Sequence, residues 1–180
     1  MSDPFALLGL EPRFDLDLAA AEVRHRELSR ALHPDRHAGS SAGERRQALS
    51  KAIEVNDALR VLKDPVRRAE ALLQRSGVRL ADEGREPPAS PDFLMEMLEL
   101  REELSAARAA ADLNAIRDIE KRVEVRESAI ERELAITFSA LSREPSGSAT
   151  QAEPIGKRLG ELRYYRRLLS EARALEDEIA

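Results

Sequence analysis

Apolar positions along this chain recur at steps of three and four, the repeat that gathers them on one side of an α-helix. No stretch shows the alternation of a half-buried strand. The pattern predicts a short first turn over Pro4–Leu8 and a long helix opening at Asp15 or Asp17, where a carboxylate can cap free backbone N–H groups. The stripe of that helix is Ala21, Leu28 and Leu32, with His25 in line. Pro34 closes it, because proline disfavours helical geometry in the residue before it. Residues 33–43 read as a loop, and Ser41-Ala42-Gly43-Glu44 has the spacing of a capping box that opens the next helix. That helix carries Leu49, Ala52, Val55, Asn56, Leu59 and Leu62 on one side and stops near Asp64-Pro65. A shorter helix over 66–75 ends at Ser76-Gly77, where glycine supplies a left-handed cap.

Residues 78–90 contain Gly84, Pro87 and Pro88 and have no period, so they are expected to be a connector between a first domain, 1–77, and a second, 91–180. Ser90-Pro91 reads as a cap followed by proline at the first helical position. Three longer helices follow. The first covers about 91–111 and the second about 113–141, with Leu113, Ile116, Val123, Ile130, Leu134, Phe138 and Leu141 inward. A polar turn is expected over 142–153, around Pro145 and Gly147. The last helix is expected to begin at Pro154 or Ile155 and reach Ile179, with Ile155, Leu159, Leu162, Leu169, Ala172 and Leu175 inward. Three such stripes joined by short loops predict an antiparallel three-helix bundle, and the chain as a whole is expected to be all-α.

The helix after Pro91 differs from the others. Phe93, Met97, Leu100, Leu104, Ala107 and Ala111 form a complete seam, yet Leu94, Met95 and Leu98 stand on the opposite side, beside Glu99 and Glu102. A bundle helix needs one apolar stripe, so the second is surplus to folding the bundle. It either packs against the first domain or binds a partner. Methionine favours a partner, because its soft side chain adapts to another surface. On the last helix Tyr164 points away from the seam through Leu162 and Tyr165, and an outward tyrosine is a common binding anchor.

Composition removes several classes of function. The 180 residues hold 29 Lys and Arg against 34 Asp and Glu, a mildly acidic balance that argues against nucleic acid as the main ligand. With no cysteine there is no disulfide, thiol chemistry or cysteine-held cluster in this chain. No glycine-rich phosphate loop is present, so nucleotide hydrolysis is not expected here, nor is any cofactor. The first ten residues lack the pattern of a signal peptide, and no apolar run approaches the ~20 residues that span a bilayer, so the expected location is cytoplasmic, away from membranes.

Candidate chemistry centres on His33-Pro34-Asp35, between two amphipathic helices. Proline fixes this loop, leaving a histidine and a carboxylate at the hairpin tip. Arg24, Arg26 and Arg30 precede it and Arg36 follows, giving a small cationic surface beside an exposed acid. A metal enzyme using His33, Asp35 and His37 is one alternative, since alternating groups of this kind can bind zinc, but no further His or Cys completes a site. An adaptor coiled coil, in which the triplet is incidental, is another.

The triplet, its place near the N-terminus and the run Val55-Asn56-Asp57-Ala58-Leu59-Arg60-Val61-Leu62-Lys63-Asp64-Pro65 together resemble the J-domain. The resemblance implies that His33, Pro34 and Asp35 stimulate an ATPase chaperone of the DnaK/HscA class, with Arg26, Arg30 and Arg36 as electrostatic contacts. Glu22 departs from the basic residue common there, and His25 replaces the usual aromatic with burial as its expected role. Residues 93–104 and Arg68-Ala69-Glu70-Ala71-Leu72-Leu73 are similar to the HscB family, whose J-domain is joined to a C-terminal three-helix domain in an L-shaped pair. That likeness covers nearly the whole chain. It implies a co-chaperone, not an enzyme, that binds an IscU-type iron–sulfur scaffold through Leu94, Met95, Leu98, Glu99, Glu102 and Tyr164. The cysteine-bearing N-terminal region of some eukaryotic members is not found in this sequence. A general J-domain protein serving unfolded clients is the alternative within the same fold.

Overall fold

The computed structural model describes residues 3–37, 39, 41–78, 89–143 and 148–179. Every regular element among them is helical: α1 (Pro4–Leu8), α2 (Leu18–Ala31), a 3₁₀ turn (Pro34–His37), α3 (Ala42–Lys63), α4 (Pro65–Arg75), α5 (Pro91–Ala109), α6 (Leu113–Arg143) and α7 (Ser148–Ile179). They form two compact units, Met1–Val78 and Arg79–Ala180. The glycine and prolines expected to break the chain between them, Gly84, Pro87 and Pro88, lie outside the described residues.

In the first unit the caps set the boundaries. Asp17 accepts from the N–H groups of Ala19 and Ala20, which settles the start of α2 between the two expected aspartates. Ser41 and Glu44 close a reciprocal capping box on α3. Asp64 caps α4 ahead of Pro65 at its first turn. Gly9 ends α1 at φ +63°, a backbone conformation that strains any residue with a side chain, and a Cβ there would also come within 3.3 Å of the Arg24 guanidinium. Glu22 pairs with Lys63, and His25 with Asn56, which runs α2 and α3 antiparallel. Phe5, Leu8, Phe14, Ala21, Val55, Ala58, Leu62, Ala69 and Leu73 fill the space between these helices. Arg68 is 5% exposed in this core: it donates to the Leu62 carbonyl at 2.8 Å and lies 4.7 Å over the Phe14 ring, where hydrogen bond and cation–π contact replace water.

Three expectations change. Leu49 was expected inward on α3 but is 57% exposed, and Ala48 is buried instead. Steps of three and four fit two adjacent stripes of one helix, and here the small residue faces the packed side. Ala111 lies past the end of α5, exposed and at φ +50°, in the tight turn to α6. The last helix begins at Ser148, with Pro154 inside it. As the seventh residue of the helix, proline forfeits the bond its own N–H would have made and crowds the carbonyl four residues back, yet the helix runs through it. The expected turn residues Pro145 and Gly147 lie outside the described residues.

In the second unit, ion pairs between helices fix their directions. Glu96 meets Arg126 and Glu103 meets Arg122, so α5 and α6 are antiparallel. Glu176, Glu124 and Glu133 meet Arg117, Arg173 and Arg158 in the same opposed sense between α6 and α7. Phe93, Met97, Leu100, Leu104 and Ala107 from α5 face Ile116, Val123, Ile130, Leu134 and Phe138 from α6 and the expected inward side chains of α7. Each fully buried leucine or phenylalanine contributes about 1.5–3 kcal/mol, whereas the exposed ion pairs add at most about 1 kcal/mol each.

Candidate functional site

The first unit presents the 33–35 tip between α2 and α3. Leu32 ends α2, and the chain then tightens into the 3₁₀ turn, with the Arg36 N–H donating to the His33 carbonyl at 3.0 Å. The His33 side chain is 59% exposed and that of Asp35 is 91% exposed. His33 Nδ1 accepts the Asp35 backbone N–H at 3.3 Å, which orients the ring and turns Nε2 outward. The Asp35 carboxylate stands 3.6 Å from the same Nδ1. A nitrogen that accepts from the backbone cannot donate to the carboxylate at once, so this bond leaves the Asp35 oxygens to water or a partner.

The arginines behind the tip are not equivalent. Arg24 is committed to the fold, bonding the Leu8 carbonyl and Glu27. Arg26, Arg30 and Arg36 are exposed. Among the described residues, Arg26 has only a long contact, 3.9 Å, to Glu22. Glu22, the departure from the family pattern, is held by Lys63 at 2.8 Å, and that hydrogen bond keeps its carboxyl below the usual carboxylate range. Its charge is therefore answered from α3, and Arg26 stays available. His25 is half-buried and bonds Asn56 at 2.7 Å, with Ser29 at 3.4 Å, a packing role and not a chemical one. Among the described residues no group of three or more His, Cys, Asp or Glu is placed to hold a metal ion, and the His37 side chain that the metal reading requires lies outside them.

The second unit carries a surface of opposite character. Leu94, Met95 and Leu98 are 52%, 58% and 52% exposed on the side of α5 turned from the bundle, and Glu99 and Glu102 are exposed beside them. The bundle itself therefore leaves this stripe uncovered. Tyr164 is half-buried, where an outward ring was expected. Its edge meets Phe93 at 5.7 Å, which brings it next to α5, and Arg167 lies 5.8 Å from its ring. Phe93 also meets Tyr165 edge-on at 5.4 Å. The Tyr165 hydroxyl donates to Glu96 at 3.0 Å, and burial, followed by that hydrogen bond, pushes its phenol well above the usual tyrosine range. Sequence reasoning gave Tyr165 no role beyond the seam. The signal that could have found it is Glu96, a lone acid among apolar neighbours on the flank of a seam. None of the described helices is long and apolar enough to cross a membrane.

Known proteins share this organisation. The family described as "HSCB C-terminal oligomerisation domain" matches residues 89–173. A "Co-chaperone protein HscB homolog" of Neisseria gonorrhoeae (strain NCCP11945) is 35% identical over 164 residues, 91% of this chain and 96% of that one. A protein of the same description from Neisseria meningitidis serogroup B (strain ATCC BAA-335 / MC58) is 40% identical over 123 residues, 68% of this chain and 74% of its own length. The solved structure "Chaperone HscB from Vibrio cholerae" superposes with a TM-score of 0.81 at 30% identity, covering 99% of both chains. An all-α chain with an N-terminal J-domain hairpin and a C-terminal three-helix bundle, related at this level along nearly its whole length, belongs to the HscB co-chaperone family.

Proposed function

We propose that this chain binds an IscU-type iron–sulfur scaffold protein and delivers it to a DnaK/HscA-class ATPase chaperone, whose ATP hydrolysis it stimulates. The work is cytoplasmic and promotes cluster assembly and transfer. Residues 1–77 act as the J-domain, 78–90 as connector and 91–180 as the scaffold-binding domain. His33, Pro34 and Asp35 engage the chaperone, with Arg26, Arg30 and Arg36 steering the encounter by charge. Leu94, Met95, Leu98, Glu99, Glu102 and Tyr164 hold the scaffold.

The observation that carries the reading is the second apolar side of α5. Three large side chains more than half exposed within two turns form a patch that its own bundle does not use. Its acidic neighbours suit a partner with an apolar docking site and a basic rim. Linking that patch to the His33–Asp35 tip in one chain raises the effective concentration of client at the chaperone without any new contact. Hydrolysis takes place in the chaperone.

Calorimetric titration of the full chain with purified IscU-type scaffold tests the reading. Saturable binding is expected, and Leu94→Ala combined with Leu98→Ala should weaken it by about 2 kcal/mol, roughly thirtyfold, if these side chains are central anchors. Unchanged affinity in the double variant would remove the patch from the interface.

A further inference from the structure

Two of the chain's three methionines stand on α5, two residues apart. At about 100° per residue their side chains leave the helix about 200° apart, so they serve opposite sides of it. Met97 is 7% exposed, in the seam of the bundle. Met95 is 58% exposed, on the outward stripe with Leu94 and Leu98. The third, Met1, lies outside the described residues.

Met95 matches the leucines beside it in apolar area and differs from them in chemistry. Its thioether sulfur carries a lone pair that attacks a hydroperoxide. An S–O bond forms as the O–O bond breaks, and the proton passes to the departing oxygen. Sulfur is oxidised to the sulfoxide, and the peroxide is reduced to water or an alcohol. Access of the oxidant to sulfur governs the rate, which sets Met95 apart from Met97. The chain has no cysteine, so no thiol of its own competes for the oxidant. The sulfoxide is polar, and its oxygen accepts hydrogen bonds from water. At an exposed helix position it keeps that water and costs the fold little. Pressed into an apolar contact, it must give the water up. Oxidation of Met95 therefore spares the bundle and penalises whatever docks on the stripe.

We propose that Met95 is a reversible modification site: hydroperoxides convert it to the sulfoxide, and the sulfoxide weakens the hold of α5 on its client. The site rests on the exposures above. Its consequence for binding rests on the function proposed for the same face. Restoration belongs to a thiol-dependent methionine sulfoxide reductase, which releases the oxygen as water while two thiols become a disulfide. Met97, with the same chemistry on the buried side of the same helix, is the internal control.

The test treats the full-length protein with hydrogen peroxide and follows each methionine by peptide mass mapping. Glu96 lies between the two on α5, so cleavage after glutamate separates them. Met95 should be oxidised about tenfold faster than Met97 or more. Equal rates overturn the site. Thermal melting of protein oxidised at Met95 should stay within about 2 °C of the parent, and a larger drop overturns the claim that the fold is spared. In the second arm, peroxide is removed before purified IscU-type scaffold is added. Affinity should fall about tenfold and return after treatment with sulfoxide reductases for both epimers and a thiol reductant. Met95→Leu keeps the volume and the apolar contact, so its affinity should not respond to peroxide. Undiminished affinity in the oxidised parent overturns the effect on docking. An equal peroxide-dependent loss in Met95→Leu also overturns it, because another residue would then be responsible. If the untreated protein fails to bind scaffold, the proposed function falls while the two oxidation rates still decide the site.

Discussion

The two candidate surfaces solve the problem of display in opposite ways. At the 33–35 tip, polar groups are displayed by a short 3₁₀ turn, and the side chains that matter are among the most exposed in their unit. Water favours that arrangement, so nothing beyond the turn itself has to hold them out. On α5 the displayed groups are apolar and water opposes the arrangement. Leu94, Met95 and Leu98 stay out only because Phe93, Met97, Leu100 and Leu104 occupy the inside of the same helix and Glu96 is tied on the flank. A polar surface can therefore be altered with little consequence for the fold, whereas an apolar surface depends on the core behind it.

Leu104→Ala tests that dependence with the largest expected effect. Leu104 is 2% exposed, and truncating it leaves a cavity as well as lost burial, so the second unit should lose about 2–5 kcal/mol in urea denaturation followed by helical signal. Leu94→Ala, on the same helix but half exposed, should change stability by about 0.5 kcal/mol or less. Comparable losses for both would mean that the outward side of α5 contributes to the bundle after all.

His33→Gln addresses the tip. Its side chain makes no contact that supports either helix, so thermal stability should stay within about 1 °C of the parent, a shift of a few tenths of a kcal/mol. Stimulation of a DnaK-class ATPase, followed as phosphate release, should fall about tenfold or more if the ring is an anchor of the chaperone contact. Scaffold affinity should not change, because the binding face proposed for the scaffold lies on the other unit. Full stimulation by the variant would strip the triplet of its role and leave the chain as a scaffold-binding bundle with an unexplained hairpin.

Much of this comparison was legible in the sequence, for a physical reason. Helix starts are written locally, in one capping side chain and the residues just after it, and Asp17, Ser41 and Ser90 all cap as their spacing implies. The inward stripes of α6 and α7 were legible because bundle seams bury large residues at a regular repeat. Contacts between helices were not. Whether Leu49 or Ala48 faces inward depends on how α3 is rotated against its neighbours, and the repeat fits either choice. The commitment of Arg24 to the Leu8 carbonyl, and of Lys63 to Glu22, depends on atoms far away in the chain. The same holds for Tyr165, whose acceptor lies 69 residues earlier. Pro154 misled because proline is a strong local signal to begin a helix, whereas here the helix already runs from Ser148. At the candidate surfaces, the exposures of Leu94, Met95 and Leu98 follow from a surplus visible in the sequence, but the half-burial of Tyr164 against Phe93 does not.

The smallest expected effect separates the two units by pH. Glu127 sits in the groove between α6 and α7, which Glu124, Ser128, Glu131, Arg166, Ser170, Arg173 and Asp177 also line. Burial raises its carboxyl above the usual carboxylate range, opposed by Arg166 and Arg173 and reinforced by Glu131 and Glu124. One of its oxygens is shielded from water with no hydrogen-bond partner among the described residues. An acid whose proton is held more tightly in the folded state favours folding below its ordinary range, and that contribution is lost as pH rises through the raised value. At neutral pH the ionised Glu127 therefore works against the bundle. Glu127→Gln keeps the shape and removes the charge, so it should stabilise the second unit at pH 7 by less than about 1 kcal/mol, because the group is partly solvated and screened. The gain should shrink towards zero near pH 4, where the native side chain already carries its proton. Melting curves of parent and variant at the two pH values measure the difference, and ATPase stimulation through His33 should be the same for both. A gain of equal size at both pH values would assign the effect to packing of the amide. A loss at pH 7 would mean that the attraction of Arg166 and Arg173 outweighs desolvation, and that α6 and α7 are held together in part by the charge that burial disfavours.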